Sequence, residues 1–138
     1  AYRGGRFATV VRVTGLDHIV LNCADVERSI AWYCDRLGLT PVRVDEWRAG
    51  RAPFPSVRVD DHTIIDLLAA DRSGVNVDHV CLVVDRTDLS AVAASGSFDV
   101  IGAGPTDGLF GARGTATSLY VRDPDANTVE LRYYDDDR

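Results

Sequence analysis

Two histidines, His18 and His79, and two carboxylates, Asp66 and Glu130, are the residues on which chemistry could rest. The run Gly15-Leu16-Asp17-His18-Ile19-Val20-Leu21 returns as Asn76-Val77-Asp78-His79-Val80-Cys81-Leu82, so the histidines lie 61 positions apart and each follows an aspartate. The carboxylates lie 64 apart, in Ile65-Asp66-Leu67 and Val129-Glu130-Leu131. The chain has only 3 histidines, and two of them occupy equivalent points of this repeat. If the two copies pack about a pseudo-twofold axis, two imidazoles and two carboxylates meet in one cup. Burying the two acids there without a cation would cost several kcal/mol. A divalent ion removes that cost, and the mixed nitrogen and oxygen set suits Zn, Ni, Fe(II), Co or Mn better than Ca. Four such ligands leave positions open for water or substrate, as a catalytic site requires.

The elements that must position these groups follow from the repeat, whose unit is about 60 residues long. In the first copy a strand is expected over 19–22, then a helix capped by Asp25, running to about Leu37 and stopped by Gly38. Val26, Ile30, Tyr33 and Leu37 form its apolar stripe. Strands follow over 42–44, 57–59 and 63–69, the last two joined by a turn at Asp60-Asp61. The unit is therefore βαβββ. Residues 71–76 form a short linker, and the second copy repeats the order with a strand over 80–84, a helix over 87–94, and strands near Val100, over 115–122 and over 128–134. Period-2 alternation puts His18, Val20 and Asn22 on one face and Ile19, Leu21 and Cys23 beneath the helix. Ile65, Leu67, Val129 and Leu131 belong to the helix-packed face, so Asp66 and Glu130 open into the cup. The fold class is α+β, a cup-shaped mixed sheet built from tandem modules over 15–70 and 77–135, in one domain over 15–135 after an N-terminal extension over 1–14.

Composition narrows the function further. A chain of 138 residues, 46% of them hydrophobic, is long enough for one domain. Its 15 basic against 21 acidic residues give a net charge of −6 with no basic stripe, so nucleic acid and anionic membrane are not expected partners. A small-molecule substrate is. The chain carries no apolar run of spanning length, its start lacks the apolar centre of a secretory signal, and Cys23, Cys34 and Cys81 read as reduced thiols, so a cytoplasmic location is expected. The sheet edges left by two modules favour a homodimer, with the modules pairing either within or between chains. Asp135 to Asp137 read as a solvated acidic tail, His62 as an exposed turn residue, and Cys34 as packing. Tyr120, ten residues before Glu130 on the neighbouring strand, is placed either in the cup as a hydrogen-bond donor or in the core. Arg113, within the glycine-rich stretch 108–114, reads as part of a surface loop, or as an anion clamp on a mobile lid.

The segment Gly111-Ala112-Arg113-Gly114, with 118–131 (SLYVRDPDANTVEL), strongly resembles the closing hairpin of the vicinal oxygen chelate superfamily. Leu16 to Leu21 with Trp32 to Leu39 resembles its opening strand and helix, and the likeness spans about 15–134. The superfamily includes glyoxalase I, fosfomycin and bleomycin resistance proteins, methylmalonyl-CoA epimerase and extradiol dioxygenases. The resemblance implies the glyoxalase/bleomycin resistance/dihydroxybiphenyl dioxygenase fold. It also implies that His18, Asp66, His79 and Glu130 fall at the four metal-ligand positions of glyoxalase I-like members. Asp66 stands where those carry a glutamate, and Ala126 replaces the glycine usual in the turn. The expected function is that of a divalent-metal lyase or isomerase acting through an enolate or enediolate, with Glu130 or Asp66 as general base. A second expectation is an Fe(II) extradiol-type dioxygenase in which His18, His79 and Glu130 hold the iron and Tyr120 handles a proton, although Arg113 stands where those enzymes place a further histidine. A third is a metal-free drug- or metabolite-binding protein of the same fold.

Overall fold

The structure is a computed structural model, and it describes residues 10–71, 73–122 and 126–136. Most of the extension read over 1–14 therefore lies outside the described residues, as does the end of the acidic tail. Strand β1 (Val13–Cys23) leads into helix α1 (Val26–Leu37). The Asp25 side chain accepts a hydrogen bond from the Arg28 N–H at 3.0 Å, and Gly38 closes the helix at φ 72°, so both expected caps are in place. Val26 and Ile30 are buried, and Tyr33 and Cys34 pack against the same cluster.

Strand β2 (Thr40–Val42) follows and is succeeded by a short helix, α2 (Val44–Arg48), where a strand was expected over 42–44. Arg43 ends the strand because its backbone turns left-handed, at φ 58° and ψ 23°. Strands β3 (Ser56–Arg58) and β4 (Ile64–Ala69) then form a hairpin, with the Val59 N–H donating to the Thr63 carbonyl at 2.9 Å. The second copy supplies β5 (Val77–Val84), α3 (Leu89–Ala94), β6 (Asp99–Val100), β7 (Thr106–Gly111), β8 (Gly114–Arg122) and β9 (Thr128–Arg132). The glycine-rich stretch is thus the second half of β7 and a tight turn into β8, rather than a loop or lid. The glycines at 108 and 111 hid the strand. Arg113 sits at that turn with its guanidinium over the Tyr134 ring and 3.1 Å from Asp136.

The strands form one sheet in the order β2-β3-β4-β1-β5-β9-β8-β6, with β7 added beside β8. Each module pairs its first and last long strands in parallel, β1 with β4 and β5 with β9, and β1 joins β5 antiparallel at the seam. The pseudo-twofold axis therefore runs through that seam, and the modules pair within a single chain. Two apolar cores lie on the helix face, one per module: Val26, Ile30, Val57 and Leu67 in the first, Leu89, Val92, Leu119 and Leu131 in the second. At ~25 cal/mol per Å² of apolar surface removed from water, these cores hold each helix against its half of the sheet. The opposite face curves into the cup.

Candidate metal centre

The floor of the cup is an unusually polar interior. Asp17, His18, Ser56, Asp66, Ser118, Glu130 and Arg132 are all buried. Register explains why they share a face. His18 pairs with Cys81 and Val20 with His79 across the seam, while Val20 also lies beside Asp66 and Cys81 beside Glu130. Tyr120 pairs with Glu130 on the far side, so it takes the cup position, with its ring 5.7 Å from that of His79.

Three of the four expected ligands converge. His18 Nε2 lies 3.3 Å and His79 Nε2 3.1 Å from the same oxygen, Glu130 Oε1, and the three ligand atoms lie within 4.8 Å of one another. Asp66 is set back from this cluster. Its Oδ2 is 3.7 Å from His18 Nε2, and its Oδ1 accepts a hydrogen bond from the Ser56 hydroxyl at 2.5 Å. His62 lies at the β3–β4 turn, exposed and away from the cup, and its N–H donates to Asp60 at 2.9 Å.

Each imidazole is backed by the aspartate that precedes it in sequence. His18 Nδ1 donates to Asp17 at 2.6 Å and His79 Nδ1 to Asp78 at 2.7 Å. Neighbours in a regular strand point to opposite faces, so simple alternation cannot produce these contacts. Two β-bulges do. Leu16 pairs with Leu82 and His18 with Cys81, leaving Asp17 as the extra residue on β1. Val20 pairs with His79 and Leu21 with Val77, leaving Asp78 as the extra residue on β5. A bulge re-aims one side chain, and here it brings each carboxylate alongside its histidine. The repetition of the Asp-His dipeptide was the one sequence signal for this arrangement.

A further set of residues, none of them expected from sequence, closes a ring beneath the cluster. Arg132 Nη2 donates to Glu130 Oε2 at 2.5 Å, Arg132 Nη1 to the Tyr134 hydroxyl at 3.3 Å, and Tyr134 in turn to Asp17. Glu130 therefore keeps one oxygen for the cup while Arg132 holds the other. Gly111 is the residue that makes room: a Cβ there would stand 1.9 Å from Arg132 Nη1.

The electrostatics of the floor test whether a metal fits. Asp17 accepts, so each Nδ1 that faces an aspartate carries its proton, and both Nε2 atoms turn a lone pair towards Glu130 when the imidazoles are neutral. Three buried carboxylates, Asp17, Asp66 and Glu130, then face one buried guanidinium, Arg132. Two negative charges are left over, the charge of one divalent cation. Without a cation, protons must take its place. Burial alone would lower the pKa of His18, but hydrogen bonds to Asp17 and Glu130 overcome it and push it up to about 12. His79 is raised against its burial by Glu130 and Asp78. Glu130, despite burial, is held well below the usual carboxylate range by both imidazoles and Arg132, whereas burial pushes Asp66 up. The donor set and its charge fit a divalent transition metal, with each imidazole oriented by an outer carboxylate.

Comparison with known proteins agrees with this reading of the fold. The chain is 30% identical over 136 residues to "Glyoxalase domain-containing protein RDO1" of Mycosarcoma maydis, an alignment covering 90% of this chain and 70% of that one. Its fold is similar to that of methylmalonyl-CoA epimerase from Mycobacterium tuberculosis, with a TM-score of 0.65, 19% identity and 93% of both chains covered. It is similar also to the Mn(II)-bound glyoxalase from Novosphingobium aromaticivorans, with a TM-score of 0.65, 22% identity, and 90% of this chain covered against 40% of that one. With the duplicated modules, the seam and the convergent cup already in place, the family match over residues 15–131 completes the assignment: this chain belongs to the Glyoxalase/Bleomycin resistance protein/Dioxygenase superfamily.

Proposed function

We propose that the protein is a divalent-metal-dependent lyase or isomerase of glyoxalase type, acting on a small substrate with vicinal oxygens through an enolate or enediolate. The observation that carries this reading is the meeting of His18 Nε2, His79 Nε2 and Glu130 Oε1 at one point of a cavity. These three residues would hold the metal, and their mixed nitrogen and oxygen donors suit Zn, Ni, Fe(II), Co or Mn. The cation, when bound, supplies Lewis-acid stabilisation of charge developing on the substrate oxygens.

The remaining steps belong to the chain itself. Asp66, set back from the cluster, acts as the general base that moves a proton between adjacent carbons. Ser56 fixes one of its oxygens and leaves the other facing the cup. Burial raises the Asp66 pKa, which strengthens it as a base for a carbon acid. Tyr120 stays protonated, because burial and the neighbouring Glu130 both raise its pKa, and it donates a hydrogen bond to the substrate from the cup wall. The apolar part of the wall, including Val20, Leu68 and Leu109, excludes water from the reacting atoms.

The separation of Asp66 from the three-residue cluster favours a second reading, an Fe(II) oxygenase in which His18, His79 and Glu130 form a facial triad. Loss of a hemithioacetal signal under anaerobic conditions by metal-loaded protein supports the lyase; oxygen uptake with catechols and no anaerobic turnover overturns it in favour of the oxygenase. Failure to take up any metal points instead to a drug- or metabolite-binding protein. The cup is complete within one chain, so the proposed homodimer serves only to cover sheet edges, and sedimentation reads it. The unpaired thiols Cys23, Cys34 and Cys81 suit the proposed cytoplasmic location, and among the described residues no helix is long and apolar enough to cross a membrane.

A further inference from the structure

The cup wall carries a cation that the proposed chemistry does not use. Arg43 is one of two residues other than glycine at positive φ among the described residues, a conformation that costs ~1 kcal/mol and persists where the surroundings impose it. Its guanidinium carbon lies 3.7 Å from the centre of the Phe110 ring and 4.9 Å from that of Phe54. Nη2 donates to the Phe54 carbonyl at 3.3 Å, and Nε is buried with no partner. Asp66 and Glu46 influence Arg43 through space, but neither hydrogen-bonds it. A planar cation held between two aromatic faces keeps its N–H edge for a ligand lying in its own plane.

The location gives this edge a purpose. Arg43, Phe54 and Phe110 line the same cavity as His18, His79 and Glu130, a space of about 350 Å³. That is near the lower end for small-molecule sites, so the ligand is compact. On the reading above, a bound dication balances the buried charges of the floor, and Asp78 is half exposed and engaged by His79. Arg43 is then a cation of the cup wall whose N–H edge no carboxylate holds, since Asp66 and Glu46 act on it only through space. A single guanidinium with one donor already taken matches a carboxylate better than a phosphate, whose three oxygens demand more donors.

We propose that Arg43 is the anion seat of the cup, taking a carboxylate carried on a small aromatic or apolar substrate whose adjacent oxygens face His18, His79 and Glu130. The inference rests on the metal-centre reading for the far end of that substrate. Calorimetry with Mn(II)-loaded protein tests it, using 3,4-dihydroxybenzoate against catechol, two probes that differ by one carboxylate. The wild type should prefer the carboxylated probe at least tenfold. Arg43→Gln should abolish the preference with metal content and catechol affinity unchanged, and Arg43→Lys should restore part of it. A preference that survives in Arg43→Gln, or an equal loss for both probes, overturns the seat. Benzoate against benzamide on metal-free protein separates the two claims. Discrimination that Arg43→Gln removes, in a protein that takes up no metal, supports the seat and overturns the metal centre. Metal uptake without discrimination does the reverse.

Discussion

Asp17→Asn separates a tuned metal ligand from a histidine that is merely packed. Asp17 is fully buried and collects three donors: His18 Nδ1 at 2.6 Å, the Ala112 N–H at 3.0 Å and the Tyr134 hydroxyl. Asparagine preserves the shape and can still accept from His18 and Ala112 with its one oxygen, while its amide faces a Tyr134 hydroxyl that already accepts from Arg132 and Arg113. The charge, however, is gone. Charge-assisted hydrogen bonds contribute about 1.5–3 kcal/mol, and loss of an outer partner typically weakens metal binding by ~10–100-fold, or ~1.4–2.7 kcal/mol. Asp78 makes the equivalent bond to His79, but its side chain is 46% exposed. Water screens that pair, so Asp78→Asn should cost less than about fivefold. Competition titration of Zn(II) against a chromogenic chelator measures both. An effect of Asp78→Asn equal to or larger than that of Asp17→Asn, or no effect of either on a protein that does load, would refute the reasoning from the bulges.

Other perturbations read other parts of the site. Asp66→Ala should leave metal content near the wild-type level while turnover falls by roughly 10²–10⁴-fold, the range for a lost general base; loss of the metal would make Asp66 a fourth ligand instead. Gly111→Ala should lower stability by about 3 kcal/mol in urea unfolding, because the new methyl would stand 1.9 Å from Arg132 Nη1, 2.6 Å from the Tyr134 hydroxyl and 2.7 Å from Asp17 Oδ2. Ala126→Gly should raise stability by about 0.5 kcal/mol, since Ala126 sits at φ 65°. In metal-free protein, Asp17 and Glu130 have pKa values below their ordinary ones, despite burial, because of hydrogen bonds and Arg132. Their stabilisation is present above the unfolded values near 4 and is lost as pH falls through the folded ones. The acid limb of a stability–pH curve should therefore be shallower in Asp17→Asn.

The duplicated modules were legible because the repeat preserves whole strands and because Asp25 and Gly38 cap α1 through local chemistry. The cup residues were legible because period-2 alternation fixes faces once the strands are known. The outer carboxylates were not, since the bulges at Asp17 and Asp78 are faults in that alternation and depend on how β1 meets β5. Helix α2 was hidden because Val42 and Val44 alternate as in a strand and the charged helix that follows is little more than one turn long, and β7 by the glycines at 108 and 111. Arg132 and Tyr134 carry no motif; only the tertiary approach of the β7–β8 hairpin to β1 and β9 brings them to Glu130 and Asp17. The described part of the tail is solvated as read, with Asp135 and Asp136 exposed, and surface ion pairs to Arg86 at 3.0 Å and Arg113 at 3.1 Å add to it.

Elemental analysis of protein purified without chelator, then reconstituted and desalted, addresses the metal centre most directly. The arrangement of His18, His79 and Glu130 predicts close to one transition-metal ion per chain, falling to background in the His18→Ala, His79→Ala double variant. Wild-type protein that stays empty after reconstitution, or a double variant that loads as fully as the wild type, would contradict it.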